Sequence, residues 1–413
     1  MHPRMKPAAL ALLLLAAVGG CSRAGGSPSR PPSPEPRLAL AQQPDWLTPY
    51  RPKQEALLAG QPSSPVTTPA RPVYPLLDHF TYVRAEPFNE VRARLAARAV
   101  LQHIEASPLL YVAGQTEPGL ANLVAQYGPD APVDPDPWVK VVRKGAYYRL
   151  EWARPNPPAR KAVVKANRAV SAGDVPRAVE AMRRATLHSP RVPGLWTTLA
   201  PLLVAVGDDA GAEAALREAL VIDDRYFEAY LGLANLYARR GATARSVAAA
   251  ARALALYPVS PRAWGAAELL APVQPRPKPP PIFVEVGHSG AIHVGAPRGK
   301  PERTYALCRA GIRFEPQLRA RLLQVPATSP YRLTAGEELL CLEAMLGTYL
   351  STRAEQVPEL EALLGVAQQG ALGGYVMFEI IGQHRPEWLR LAPDQQLDAV
   401  VTYVKRRVMG RQE

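Results

Sequence analysis

Three cysteines in 413 residues, six methionines and an aromatic share of 7% are the first shortages of this chain. The cysteines are not spaced as ligands of a structural zinc ion, so a metal-stapled fold is excluded. There is no lysine-rich arm, and aromatics do not alternate with basic residues. The net charge of +13 therefore sets only an electrostatic background, and the missing patterns argue against a nucleic-acid partner. The arginines fall on the polar faces of amphipathic segments, where they read as solvated charge. The apolar run Ala8 to Val18 has eleven residues, short of the about 20 that a membrane-spanning helix needs. What is plentiful is proline, 45 residues against a usual share of about 5%. The prolines gather in connecting segments and mark joints between packed units. A hydrophobic content of 47% permits real cores, and the length allows two or three domains.

The most specific pattern lies between Ala159 and Pro272. Gly173, Gly207 and Gly241 stand 34 residues apart, and three further columns keep the same step: Ala178, Ala212 and Ser246; Ala185, Ala219 and Ala253; Pro190, Asp224 and Pro258. Trp196, Tyr230 and Trp264 form a fifth. Glycine at a joint supplies the backbone that ends a first helix, small residues let helices approach closely, and proline stops the second helix. The spacing predicts antiparallel helix pairs, with the aromatics filling space between layers. The pattern resembles the tetratricopeptide repeat family, with units at 159–192, 193–226 and 227–260 and a partial helix from Pro261 to Ala271. The resemblance implies a stack of helix pairs whose first helices line a concave surface. Carried onto this chain, the family's ligand-touching columns give Asn167, Thr197, Leu231, Asn235 and Arg239. Asn167 and Asn235 are 68 residues apart, and each amide both donates and accepts, which suits a peptide backbone. The lysine–asparagine set that grips a C-terminal carboxylate in some members is missing, because Val163 and Leu231 stand in the lysine positions.

Arg4 and Lys6 precede the apolar run, and Val18-Gly19-Gly20-Cys21 follows it. This arrangement resembles a lipobox, the site at which bacterial lipoproteins are acylated on cysteine (palmitate among the acyl groups) and cleaved. The resemblance implies a signal peptide at 1–20 and a mature chain beginning at acylated Cys21. It also implies attachment to the cell envelope facing the periplasm, with Ser22 favouring the outer membrane. From Ser22 to Pro75 there are thirteen prolines and little apolar periodicity, so 21–75 reads as an extended tether, with a short helix around Lys53 to Leu58 as its one feature.

Residues 76–155 are expected to form a small α+β module. Its helix has Val91, Leu95, Ala99 and Ile104 on the apolar face, a second short helix runs from Gly119 to Tyr127, and a hairpin turns at Arg143-Lys144-Gly145. The proline-rich stretch 273–281 reads as a linker, and 282–413 as a mainly helical C-terminal domain. That domain opens with a hairpin turning at Ser289-Gly290 and ends in a helix with Leu397, Val400, Val401, Val404 and Val408 on one face. The expected fold is thus mostly α: a tetratricopeptide-type α-solenoid flanked by an α+β module and a helical domain with a small β-hairpin.

Chemistry-bearing residues are few. Gly287-His288-Ser289-Gly290-Ala291 follows a β-like run as a nucleophile elbow would, with His384 and Asp394 or Asp398 to complete a triad. The residues after Ser289 continue a strand, however, and a plain hairpin turn fits them better. Gly295 to Lys300 is one residue short of a phosphate loop, and Pro301 stands where Ser or Thr is needed. His288 and His293 lack a cysteine or acidic partner for a metal. Cys308 and Cys341 are the remaining cysteines; in an oxidising compartment they are candidates for a disulfide between two helices, the alternative being two buried thiols. No catalytic set, metal or cofactor emerges. The expectation is an interaction protein, binding a protein or peptide through the repeat groove and a membrane through its lipid, with envelope assembly or secretion as its setting; the alternative is a hydrolase-like enzyme with its site in 282–413 and the repeats recruiting substrate.

Overall fold

The periodic columns become helices with periodic bounds. In the computed structural model, which describes residues 87–113, 136–145, 147–280, 282–286, 290–295, 299–329, 331, 333–352 and 357–411, the chain is mostly helical with small strand pairs. The leader, Cys21, the tether, and the short helices anticipated near Lys53 and Gly119 lie outside the described residues. Two compact units form: 136–272 belong to one, 87–113 and 273–411 to the other. The segment 76–155, expected as one module, is therefore shared between them. Its helix α1 (Glu90–Glu105) and strand β1 (Tyr111–Ala113) join the C-terminal part, while β2 (Val139–Lys144) and β3 (Tyr147–Trp152) join the helix pairs.

In the repeat-bearing unit the helices are α2 (Pro157–Ser171), α3 (Val175–His188), α4 (Pro193–Ala205), α5 (Asp209–Ile222), α6 (Phe227–Arg239), α7 (Thr243–Leu256) and α8 (Pro261–Leu270). Each joint within a pair turns on a glycine with positive φ: Gly173 at +76°, Gly207 at +85° and Gly241 at +70°. Those angles are left-handed, where a Cβ is strained. Asp174 and Asp208 then cap the following helix by accepting from the backbone N–H groups of Arg177 and Gly211. The small columns at Ala178, Ala212, Ala185, Ala219 and Ala253 are fully buried between paired helices. Ser246 fits its alanine column because its hydroxyl donates to the Ala234 carbonyl at 2.6 Å, which removes the penalty of burying it.

The aromatic column does something other than fill a layer. Trp196 Nε1 donates to the Pro190 carbonyl at 2.8 Å, Tyr230 Oη to Asp224 at 2.9 Å and Trp264 Nε1 to Pro258 at 2.6 Å. The same bond, six residues back, braces each turn between pairs. The β2–β3 hairpin pairs Val139 with Trp152 through Lys144 with Tyr147. It is held by the carboxylate of buried Asp223, whose two oxygens accept from the N–H groups of Val141 and Arg225. The Arg225 guanidinium lies 3.4 Å from the Tyr148 ring centre, a cation–π contact in a desolvated place.

In the other unit α1 packs against α9 (Lys300–Phe314) and α11 (Ala335–Thr352), with α10 (Pro316–Leu323) between the latter two in sequence. The buried face of α1 is Ala93, Ala97 and Val100, while Val91 and Leu95 are exposed. The expected apolar face is thus corrected. Gly347 of α11 sits so close to the Ala93 carbonyl that only small residues fit the crossing. Cys308 on α9 and Cys341 on α11 form a disulfide, with Cα atoms 5.4 Å apart. Beside it two glutamates are wholly buried around one arginine: Glu337 and Glu338 both pair with Arg309. Tyr331 and Tyr305 hydroxyls donate to them at 3.1 and 2.5 Å. β4 (Phe283–Val286) and β5 (Ile292–Gly295) are the expected antiparallel hairpin, and β1 adds to β5 in parallel. Val284, Ile292 and Val294 of this sheet pack on Ala306 and Ala310 of α9. The proline-rich stretch is not a free joint, since Gln274 N–H donates to the Val408 carbonyl and Arg276 pairs twice with Glu379. In the last helical stretch, Asp394–Tyr403 continuing through Val404–Val408, Leu397, Val400, Val404 and Val408 are buried and Val401 partly so. Among the described residues no helix is long and apolar enough to cross a membrane.

Candidate interaction surface

The first helices of the three pairs, α2, α4 and α6, carry the sequence-predicted columns. One column runs Val163, Thr197, Leu231; the next Asn167, Pro201, Asn235; the third Ser171, Ala205, Arg239. Asn235 and Arg239 are exposed, and Asn167 and Thr197 are partly so. Leu231 is not available, being 7% exposed in the core. It is removed from the candidate ligand set, because an apolar side chain at that position gains more from packing than from waiting for a partner.

The middle of the second column was missed. Pro201 occupies the position equivalent to both asparagines, inside α4 and exposed. It has no N–H to give to the Thr197 carbonyl four residues earlier. The Thr197 hydroxyl is itself turned back onto the Gly194 carbonyl at 3.2 Å. The 34-residue step that picks out Asn167 and Asn235 also picks out Pro201 and was the available signal. The column thus presents two side-chain amides flanking a backbone carbonyl released by proline. Such a row of donors and acceptors at successive helix pairs suits an extended peptide better than a small molecule.

Charge along the surface is uneven. Arg239 lies 3.7 Å from Asp209 of the preceding pair, and Arg240 pairs with Glu213. The Arg240 guanidinium bound to Glu213 holds that carboxyl below its ordinary range, with the Tyr237 hydroxyl adding a 3.0 Å bond. Tyr230, whose ring is largely buried, has its hydroxyl pushed above the usual phenol range by that burial.

The alternative site in the C-terminal unit does not assemble as an elbow. Val286 pairs with Ile292 across the turn in an antiparallel hairpin, so a strand follows the turn where a nucleophile elbow requires a helix. His288 and Ser289 themselves lie outside the described residues. Asp394 and Asp398 are exposed, and His384 is half-buried near the end of a helix. His293 is buried on β5, and among the described residues no three His, Cys, Asp or Glu side chains are grouped to hold a metal. Neither a protein-family model nor a curated protein sequence matches this chain.

Proposed function

We propose that the chain is an envelope-tethered interaction protein: a tetratricopeptide-type solenoid that binds an extended segment of another protein along α2, α4 and α6, carried on a lipid at Cys21. The observation that carries the reading is the recurrence of one joint and one brace through three helix pairs, with Asn167, Pro201 and Asn235 at equivalent solvent-reached positions. Repetition of a surface at fixed steps is how repeat proteins grip an extended ligand. The tether 21–75 would hold that surface away from the bilayer, and the hairpin β2–β3 is bonded to the turn between the second and third pairs.

Two measurements test it. Cys21→Ser should leave the chain as an unprocessed precursor missing from the outer-membrane pellet; unchanged processing and fractionation would remove the lipid anchor. Affinity capture from detergent-solubilised envelopes should recover a partner at fixed stoichiometry. That partner should be lost from an Asn167→Ala, Asn235→Ala, Arg239→Ala triple variant whose melting is unchanged. Equal recovery by the variant would remove the groove from the account.

A further inference from the structure

Among the described residues the helix stack has an unfilled end. In the second pair Leu199, Leu202 and Leu203 are buried, and so are their equivalents Leu233, Leu236 and Tyr237 in the third; α4 packs on α3 and α6 on α5, where the Tyr237 hydroxyl reaches Glu213. The equivalent residues of the first pair are Lys165, Arg168 and Ala169. Among the described residues no helix stacks on them. Instead they border a hollow of about 520 Å³ between α2 and α3, floored by Ala169 and Ala172 and walled by Lys165, Arg168, Arg177 and Arg184. The two carboxylates there are already committed: Asp174 caps α3 and Glu180 pairs with Arg184. No ion-pair partner is seen for Lys165, Arg168 or Arg177 among the described residues. Residues 157–188 hold seven lysines and arginines against two carboxylates, whereas 193–222 hold one arginine against four carboxylates.

The internal seams indicate what such a face receives. Between the second and third pairs the incoming helix is α5, whose Asp209 and Glu213 meet Arg239 and Arg240. Between the first and second, Arg183 meets Asp208 at 3.4 Å. Each seam is crossed by side chains of opposite charge. We infer that the open face of the first helix pair docks an acidic amphipathic helix of a partner protein, its large apolar side chains entering the alanine-floored hollow and its carboxylates meeting Lys165, Arg168 and Arg177. A terminal cap needs only a polar outer face; mixed charges would serve. A face with three cations that no described residue pairs, set around a hollow, asks for more than solubility. This surface is separate from the concave columns, so the inference does not rest on the groove.

The test uses the full mature chain with Cys21→Ser and a fluorescein-labelled, stapled helical peptide of sequence Asp208–Asp224, the chain's own acidic helix. Fluorescence anisotropy should show saturable binding that weakens as salt rises, because exposed charge pairs are screened beyond about 10 Å at 0.1 M. The Arg168→Glu, Arg177→Glu double variant should bind at least about tenfold more weakly, a loss of about 1.4 kcal/mol, with unchanged melting. A peptide with lysine at its Asp209 and Glu213 positions should not bind. Absence of binding, equal binding by the variant, or equal binding of the lysine peptide would overturn the inference. So would sedimentation with phosphatidylglycerol vesicles that the double variant abolishes while the peptide stays unbound, which would assign the face to a lipid surface.

Discussion

The joint glycines offer a graded test of the helix-pair geometry, because the structure predicts opposite signs for one and the same substitution. Gly207 has φ +85° and nothing within 4 Å of where a Cβ would stand, so the cost of Gly207→Ala is purely conformational. A left-handed alanine costs about 1–2 kcal/mol, and the stiffer unfolded chain returns about 0.4–1 kcal/mol. The net loss should be about 1 kcal/mol, and Gly173→Ala and Gly241→Ala should match it. Gly265 lies inside α8 with ordinary helical backbone and equally open space. There Gly265→Ala should stabilise by about 0.5–1 kcal/mol, since alanine loses less backbone freedom in a helix. Gly347→Ala is a third case: the new methyl would collide with the Ala93 carbonyl oxygen, a backbone atom that moves only if α1 moves. About 3 kcal/mol or more is expected there. Thermal melts of the unlipidated full chain, followed by far-ultraviolet circular dichroism and by urea titration, would read the series. For units of this size 1 kcal/mol corresponds to about 3 °C. If Gly207→Ala were as stabilising as Gly265→Ala, the joint would not be left-handed and the pairwise geometry would be wrong.

Other perturbations have equally definite outcomes. The Cys308–Cys341 bridge closes a 33-residue separation, so the Cys308→Ala, Cys341→Ala variant should lose about 4 kcal/mol in the chain-entropy treatment; alkylation of both thiols without prior reduction would show that no bridge forms. Arg309→Met strands Glu337 and Glu338, both fully buried, and should cost about 3–5 kcal/mol at neutral pH. Burial raises the Glu337 pKa, so its favourable contribution exists below the ordinary carboxylate range and is lost as pH rises through the raised value. The Arg309→Met deficit should accordingly shrink towards pH of about 4.5, near the ordinary glutamate pKa, in denaturant titrations; a deficit that grows on acidification would refute this assignment. Glu213 behaves in the opposite sense. Its pKa is lowered by Arg240, so its contribution is present above the ordinary range and is lost as pH falls through the lowered value. Glu213→Gln should flatten the acid limb of the stability profile by no more than about 1 kcal/mol, and an unchanged limb would discount the pair.

Legibility of the sequence followed the range of the forces involved. The paired helices in 157–270 were readable because each joint is set locally, by a glycine and a small residue and in two of them by an aspartate cap, and repetition lets weak signals reinforce one another. The hairpin β2–β3 was readable from alternation around Gly145. The face of α1 was not, because the apolar pattern favours large residues such as Val91 and Leu95, whereas the close crossing with Gly347 selects alanines. Strand β1 was missed since its partner Ile292–Gly295 is far away in sequence and the strand has only three residues. Arg309, Glu337 and Glu338 look like solvated surface charge in a helix and are buried only because they meet one another. In the candidate surface, Asn167, Thr197, Asn235 and Arg239 were named from their column positions. Leu231 was wrongly included because column position says nothing of depth, and Pro201 was passed over because proline carries no side-chain chemistry.

The central question is whether α2, α4 and α6 touch a partner along one line. Photocrosslinking in envelopes, with a benzophenone amino acid placed singly at Asn167, Pro201 and Asn235 and, on the far side of the second pair, at exposed Ala214, would decide it. The three column positions should give the same adduct, containing one partner at successive points of one segment, while Ala214 gives none. Adducts of equal yield from Ala214, or different proteins at each column position, would contradict a continuous binding surface.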